Sequence, residues 1–139
     1  MITPKMSDSD WLKFFDTSYD GIIIADGKGR IVYMNPASER LEGVKKEDII
    51  GRHAKELKDE GIYEESVTVR VLKDKKEVTI TQKIGEKQLI ITGVPIFKND
   101  KIQWIFINER DITELAQLKR DYEIAKNKAE KYKRELDCL

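Results

Sequence analysis

The fold is decided by the stretch Ile102-Gln-Trp-Ile-Phe-Ile-Asn-Glu-Arg-Asp-Ile-Thr113, in which an apolar strand meets a long charged helix. Residues 102–108 are apolar on both alternating faces, which is typical of a strand that is covered on both sides. Residues 113–139 are highly charged, and their apolar positions recur at steps of three and four, which predicts a helix with a heptad seam. We therefore expect a compact domain that is joined by a short connection to a helix whose apolar seam packs against a partner.

The predicted helix has a seam of mixed quality. Its apolar positions are Leu115, Leu118, Tyr122, Ala125, Ala129, Tyr132, Leu136 and Leu139. Alanine and tyrosine in the middle of the seam pack poorly between the leucine ends. In a parallel dimer, Asp121 would attract Lys126 across the chains, whereas Lys128 would repel Lys133. We expect a marginally stable, switchable dimer; the alternative is an amphipathic helix that folds back on its own domain.

The composition argues against several classes of protein. The 139 residues include 26 basic and 26 acidic side chains, and this zero balance argues against direct nucleic-acid binding. No apolar run approaches the ~20 residues of a membrane-spanning helix, and the N-terminus has no signal-peptide pattern. Cys138 is the only cysteine and cannot form an internal disulfide. A cytoplasmic, reducing location with no membrane contact is expected.

The N-terminal half of the chain alternates helical and strand patterns. An amphipathic helix is expected over residues 8–18, with Ser7 or Asp8 as its cap, and a β-hairpin over residues 22–34. Asn35-Pro36 should start the next helix, because Asn caps free amides and Pro suits the first helical position. A further short helix is predicted over residues 45–50, and the polar stretch that follows it, up to Gly61, is expected to be mostly irregular.

The C-terminal half predicts three strands. They are expected over residues 77–84, 87–97 and 101–108, with turns between them. Residues 62–72 are ambiguous, because their valines alternate as in a strand while three of their apolar residues could share a helical face. Helices followed by strands in this order predict an α+β domain built on one antiparallel sheet.

Five motifs in this order resemble those of a PAS domain, a sensory fold. They are Asp20-Gly21-Ile22-Ile23 with Asp26-Gly27-Lys28-Gly29-Arg30-Ile31, Asn35-Pro36-Ala37, Glu47-Asp48-Ile49-Ile50-Gly51, Thr92-Gly93-Val94-Pro95-Ile96 and Arg110-Asp111-Ile112-Thr113-Glu114-Leu115. The resemblance covers residues 10–113. The long tail rich in Ala, Lys and Glu is similar to the one that follows the N-terminal sensory segment of bacterial sigma-N-dependent transcriptional regulators.

The resemblance implies a five-stranded antiparallel sheet of order 2-1-5-4-3, with short helices over one face and a helix reaching about Leu72. Between the helices and the sheet it implies a small cavity, which holds a ligand or cofactor in some members of the family. We accordingly expect a disordered N-terminus over residues 1–7, a PAS domain over residues 8–112 and a signalling helix over residues 113–139.

Specific chemistry finds little support in the sequence. The run that matches the flavin photosensor motif, Gly51-Arg-His-Ala-Lys-Glu-Leu57, has Ala54 at the position of the reactive cysteine, so cysteinyl-flavin photochemistry is excluded. His53 is the only histidine candidate for a haem ligand, and the alternative is a histidine that packs a loop. Met34 could also ligate iron, although a strand methionine is more often core. Neither catalytic groupings nor metal-ligand clusters are apparent, so we expect no enzyme activity, no metal and no obligatory cofactor.

The predicted ligand pocket combines strand and helix residues. Its candidates are Met34, Leu41, Ile50, Val67, Val71, Thr92, Trp104 and Phe106. Trp104 and Phe106 share one face of the last strand, and the intervening isoleucines share the other. One face would meet the short helices, whereas the other would meet the N-terminal helix or a second subunit. Simple core packing is the alternative for each of these residues.

The connection between the last strand and the helix is the predicted signal relay. Asp111 and Glu114 are spaced as a capping pair, and Thr113 could cap the helix instead. We expect a cytoplasmic module that dimerises and passes a small-molecule or partner signal through Asp111 and Thr113 to a C-terminal output domain absent from this chain, in transcriptional regulation. The alternatives are a ligand-free dimerisation or protein-interaction module and a haem or flavin sensor.

Overall fold

The computed structural model describes residues 4–139. Its strands are β1 (Gly21–Asp26), β2 (Ile31–Met34), β3 (Val78–Ile84), β4 (Lys87–Lys98) and β5 (Lys101–Asp111). Its α-helices are α1 (Asp8–Thr17), α2 (Pro36–Glu42), α3 (Ala54–Asp59), α4 (Val67–Asp74) and α5 (Thr113–Asp137), and a 3-10 helix covers Lys46–Asp48. No helix within this described part of the chain is long and apolar enough to cross a membrane.

The five strands form one antiparallel sheet of order β2-β1-β5-β4-β3, which confirms the predicted fold. The central strand is β5, which pairs with β1 on one side and with β4 on the other. Ile107 of β5, for example, lies opposite Ile23 of β1 and Gly93 of β4. The strand that leads into α5 therefore contacts both halves of the sheet.

The inner face of the sheet, which carries Ile105 and Ile107, is covered by the short helices. Both isoleucines are buried in one apolar core with Val67 and Val71 of α4. A Cβ atom at Gly93 would overlap the Val67 side chain, so a glycine at this strand position lets α4 approach the sheet closely. The core thus lies between the inner face and the helices α2–α4.

The outer face of the sheet, which carries Trp104 and Phe106, meets α1. The Phe15 ring of α1 lies 6.4 Å from the Phe106 ring and 6.0 Å from the Tyr33 ring, measured between centroids. The Tyr33 hydroxyl donates a hydrogen bond of 2.5 Å to Asp16. Trp104 keeps 39% of its surface exposed. The N-terminal helix therefore covers only part of this face.

Helix α1 begins with the capping box that its sequence permits. The Ser7 side chain accepts from the Asp10 N–H, and the Asp10 carboxylate accepts from the Ser7 N–H at 2.9 Å. This hydrogen bonding lowers the pKa of Asp10. Of the N-terminal segment that was predicted to be disordered, residues 1–3 lie outside the described residues, and Ser7 belongs to the helix start.

Asn35 links three parts of the domain. Its side-chain oxygen caps α2 by accepting from the Ser38 N–H at 2.9 Å, and it also accepts from the Ile22 N–H at 2.8 Å. Its amide group donates to the carbonyl oxygens of Phe15 and Asp20. The predicted capping role is present, and the same buried side chain joins α1 and β1 to α2.

Two helices differ from the sequence-based expectation. Residues 54–59 form α3, although the polar stretch containing them was predicted to be mostly irregular; this prediction was wrong, because only Ala54 and Leu57 supply its buried side. The ambiguous segment 62–72 is helical in its second half, as the resemblance implied, but the helix begins only at Val67, where the Ser66 side chain accepts from the Val69 N–H.

Candidate functional site

A small cavity lies between the inner face of the sheet and the helices. It has a volume of about 40 Å³ open to the centre of a water-sized sphere. That volume suits one or a few water molecules, whereas small-molecule sites commonly measure about 300–1,000 Å³. Half of its lining residues are apolar, and the polar ones are Glu42, Tyr63, Ser66, Thr68, Gln82 and Glu109. In this conformation the cavity accommodates a water-sized occupant.

Four of the eight predicted pocket residues lie on the helical side of the sheet. Val67 lines the cavity, and Met34 and Val71 are buried in the adjoining core. Leu41 is half-buried against the same core. Ile50 is 39% exposed and borders a shallow groove on the surface instead.

The remaining three predicted pocket residues lie on the face of the sheet opposite the cavity, which corrects their assignment. Phe106 lies on the outer face against Phe15, and Trp104 shares that face. Thr92 is also on the outer face, where its hydroxyl lies 3.1 Å from that of Thr79. Strand alternation separates the two faces correctly. It does not say which face the short helices cover, because both are apolar.

A pair of acidic residues that line the cavity, one buried and one half-buried, was missed by the sequence analysis. Glu109 of β5 is only 1% exposed, and its Oε1 accepts a hydrogen bond from the Ser38 hydroxyl of α2. Its Oε2 is buried with no partner in the described part of the chain. Glu42, at the end of α2, accepts from the Tyr63 hydroxyl at 2.6 Å. Together Glu42 and Glu109 are called the acid pair.

The surroundings of the acid pair favour a proton on it. Burial, followed by the closeness of the Glu109 carboxyl group, raises the pKa of Glu42 well above its usual range. Burial and the neighbouring Glu42 carboxyl also raise the pKa of Tyr63. Gly21 makes room for the pair, because a Cβ atom there would lie 2.6 Å from Oε1 of Glu109. The inward alternation of Ile105, Ile107 and Glu109 is the sequence signal that could have revealed this buried carboxyl.

His53 does not line the cavity and acts as a loop residue in the structure. Its Nδ1 accepts from the Lys55 N–H at 3.0 Å and so caps α3. Its Nε2 lies 2.5 Å from the carbonyl oxygen of Lys28 in the β1–β2 turn. Both ring nitrogens are therefore engaged in joining the turn to α3, which agrees with the loop-packing alternative.

The connection between β5 and α5, residues 111–113, is called the joint. The Gln88 N–H donates to Oγ1 of Thr113 at 2.9 Å, and the Ile112 N–H donates to the Gln88 carbonyl at 2.9 Å. Oδ1 of Asp111 accepts from both the backbone N–H and the hydroxyl of Thr113. These two hydrogen bonds lower the pKa of Asp111. The start of α5 is thus fastened to the first residues of β4.

The predicted capping arrangement at the joint is only partly present. The N-cap position of α5 is Ile112, which makes no side-chain capping bond, so neither the reciprocal Asp111–Glu114 pair nor a Thr113 cap forms in the predicted way. The Asp111 carboxylate instead binds the first helical residue, and the Thr113 hydroxyl binds β4. Both predicted relay residues therefore contact the elements that they were expected to connect.

Helix α5 carries no buried residue and does not fold back on its own domain in this structure. The large side chains of its seam are exposed by more than half, with Leu115 at 64%, Tyr132 at 54% and Leu136 at 68%. The exposed seam is available to a partner. Whether that partner is a second copy of the chain remains a prediction.

A five-stranded antiparallel sheet, short helices over one face, an interior cavity and a helix leaving the last strand together define a sensory domain of the PAS class. The sequence pattern described as PAS domain matches residues 20–114. Because the match covers more than half of the chain, the chain belongs to the PAS domain family, whose members are sensory and generally non-catalytic modules.

Known proteins similar to this chain include sensors. The sensor protein CitS of Halalkalibacterium halodurans is 26% identical over 114 residues, which cover 81% of this chain and 20% of CitS. The chain thus spans about a fifth of the length of this curated relative.

Solved structures similar to this chain include PAS domains. The PAS domain of a protein from Colwellia psychrerythraea is 27% identical with a TM-score of 0.55, covering 76% of this chain and 97% of that domain. The PAS domain of histidine kinase ThkA is 30% identical with a TM-score of 0.54, covering 66% of this chain and 99% of that domain. The chain is therefore a PAS sensory domain akin to those of histidine-kinase sensors.

Proposed function

We propose that this domain dimerises through α5 and relays a change in the PAS core through the joint to an output domain. The observation that carries the proposal is the pair of hydrogen bonds between Gln88 of β4 and the joint. Because Gln88 belongs to the same strand as the core residues Leu89 and Ile91, a shift of β4 against β5 would strain these bonds. The start of α5 would then respond to events in the core.

The seam of α5 supports dimerisation. Leucine, tyrosine and alanine recur at heptad spacing along a helix whose apolar side chains are left in solvent. Burying them against a second copy would remove that apolar surface from water. The weak centre of the seam suits a relay, because a small free energy could then change its packing.

The comparisons favour an output of the histidine-kinase type. CitS is named as a sensor protein, and ThkA is named as a histidine kinase. A link to sigma-N-dependent transcriptional regulation stays a prediction from the tail, as does the cytoplasmic location predicted from the lone Cys138. We propose that the signal is a small molecule or a partner protein that acts on the PAS core.

A second candidate function is a ligand-free dimerisation module. The observation that favours it is the cavity of about 40 Å³, which has no room for a metabolite in this conformation. Native mass spectrometry of the purified protein separates the two functions. A retained small molecule would support the sensor, and a bare chain in every preparation would support the interaction module.

Sedimentation equilibrium tests the dimer itself. The variant Leu118→Asp places a charge in the seam, whereas the matched variant Ile124→Asp places one on an equally exposed position outside it. We expect the native chain and Ile124→Asp to be dimers and Leu118→Asp to be a monomer. A native chain that remains monomeric up to millimolar concentration would overturn the proposal.

A further inference from the structure

We propose that the acid pair, Glu42 and Glu109, is a proton-binding site, and that its occupancy controls how β5 is held against α2 and hence the joint. The first half of the proposal stands on the geometry of the pair alone. The second half rests on the relay that is proposed above. The chemical ligand of this site is a single proton, which the two carboxyl groups share.

The hydrogen-bonding pattern of the pair requires one donor more than its neighbours supply. Oε1 of Glu109 is satisfied by Ser38, but Oε2 is buried without a donor among residues 4–139. A carboxylate only accepts hydrogen bonds, whereas a protonated carboxyl also donates one. A proton on the adjacent Glu42 would let it donate to Oε2 of Glu109. The network would then run from Tyr63 through Glu42 to Glu109 with every buried oxygen partnered.

The charges around the pair do not neutralise a second negative charge. Glu64 and Lys83 line the surface groove above Glu42, and the Lys87 ammonium lies near Asp111 and donates to the carbonyl oxygen of Arg40 in α2 at 2.9 Å. None of these cations forms an ion pair with Glu42 or Glu109 in the described part of the chain.

The other residues that surround the acid pair are uncharged. Facing it are Gly21 of β1, Gln82 of β3, Ile91 of β4 and Ser66 before α4. Loss of the proton would therefore leave two like charges together in a poorly solvated place, which is unfavourable for both. The raised pKa of Glu42 agrees with this arrangement.

The proton can be exchanged without unfolding the domain. Glu42 and Tyr63 also line an open surface groove of about 180 Å³ together with Lys83. Glu42 thus stands between solvent and the buried Glu109. The acid pair can therefore exchange its proton with solvent through Glu42, as a sensor of pH must, while Glu109 belongs to the central strand β5.

The position of Glu109 connects the proton to the joint. Glu109 lies opposite Ile91 of β4, and Asp111, two residues later on the same strand, lies opposite Leu89. Repulsion between ionised Glu42 and Glu109 would push β5 away from α2, the helix that carries Glu42. The next interactions along β5 are the hydrogen bonds of the joint with Gln88, which would lengthen or break.

Carboxyl carbon NMR of the whole chain, titrated from acid to alkaline pH, tests the proton site. We expect the acid pair to titrate as a unit, with one apparent pKa well above that of an ordinary glutamate. Glu42→Gln should remove this late titration, whereas the matched control Glu64→Gln, which changes a groove residue outside the pair, should keep it. The absence of a late titration from the native chain, or a late titration that survives in Glu42→Gln, would overturn the proposal.

Infrared spectroscopy keeps the test independent of how the variants fold. The native chain at neutral pH should show the C=O band of a protonated carboxyl group, and this band should disappear at alkaline pH. Its absence at neutral pH would also overturn the proposal.

Hydrogen exchange at the Gln88 and Ile112 amides tests the coupling to the joint. The pKa of the acid pair should differ between the state in which the joint is hydrogen-bonded to Gln88 and the state in which these bonds are broken. If this difference is one unit, the protection of the two amides should change about tenfold across the titration, after correction for intrinsic exchange. The change should vanish in Glu42→Gln. A pair that titrates late while both amides stay unaffected would refute the coupling alone. A monomeric α5 would refute the proposed function and leave the carboxyl titration intact.

Discussion

The backbone N–H of Gln88 donates to the side-chain oxygen of Thr113 across 2.9 Å, although the two residues are 25 positions apart. The same hydroxyl donates to Asp111, so it joins the start of β4 to both sides of the strand-to-helix connection. A single side chain thus fixes where α5 leaves the sheet.

Replacing Thr113 with Val should loosen the joint, because valine has the same shape but neither accepts from Gln88 nor donates to Asp111. We expect a loss of about 1 kcal/mol in the free energy of unfolding and about fivefold faster exchange of the Gln88 amide. The matched control is Thr79→Val, which removes one hydroxyl of the exposed Thr79–Thr92 pair on the outer face. Equal exchange at Gln88 in both variants would contradict a fastening role for Thr113.

Replacing Glu42 with Gln should flatten the dependence of stability on pH above the ordinary glutamate pKa of 4.5. Because folding raises the pKa of Glu42, its stabilising contribution is complete below pH 4.5 and is lost as pH rises through the folded value. The native chain should lose at most about 1.4 kcal/mol per pH unit in this window. Chemical denaturation at a series of pH values measures the slope.

The two aspartates whose pKa is lowered by folding affect stability in a different pH range from Glu42. Folding lowers the pKa of Asp10 and Asp111, so their contribution is present above their ordinary value of 3.8 and is lost as pH falls below it. The slope assigned to Glu42 should therefore be measured above about pH 5, where these groups stay ionised. An unchanged slope there in Glu42→Gln would contradict a shared proton.

The sequence predicted the sheet and the start of α2 better than it predicted the residues around the cavity. Asn35-Pro36 marked the start of α2 because both residues act locally, and the resemblance supplied the strand order. The acid pair could not be foreseen in full, since Glu109 lies far along the chain from Glu42 and is 71 positions from Ser38, its hydrogen-bond donor, and only folding brings these residues together. Trp104 and Phe106 were placed on the correct common face, but the face that the helices cover depends on long-range packing.

Replacing Phe15 with Ala should destabilise the domain, because Phe15 packs against Phe106 and Tyr33 on the outer face. We expect a loss of about 1–3 kcal/mol, less than for a fully buried phenylalanine. Phe14 is 51% exposed on the same helix, so Phe14→Ala is the matched control and should cost less. Thermal or urea unfolding compares the two, and a larger loss for Phe14→Ala would contradict the described position of α1.

Replacing Gly93 with Ala should push α4 away from the sheet, since the added methyl would overlap Val67. Overpacking of this kind costs about 1–3 kcal/mol. Adding Val67→Ala should restore part of the lost stability, because it removes the overlapping side chain. A double variant whose two losses simply add would contradict close contact at this position.

The central claim, that α5 pairs two copies and is governed by the joint, is tested most directly by the distance between spin labels on Cys138. This cysteine is exposed near the end of α5 and is the only one in the chain. We predict one narrow, short distance in the native protein, because paired helix axes lie about 10 Å apart. The distribution should broaden in Thr113→Val, where the chains remain dimeric. No dipolar coupling in the native protein, or identical distributions in both proteins, would contradict the account.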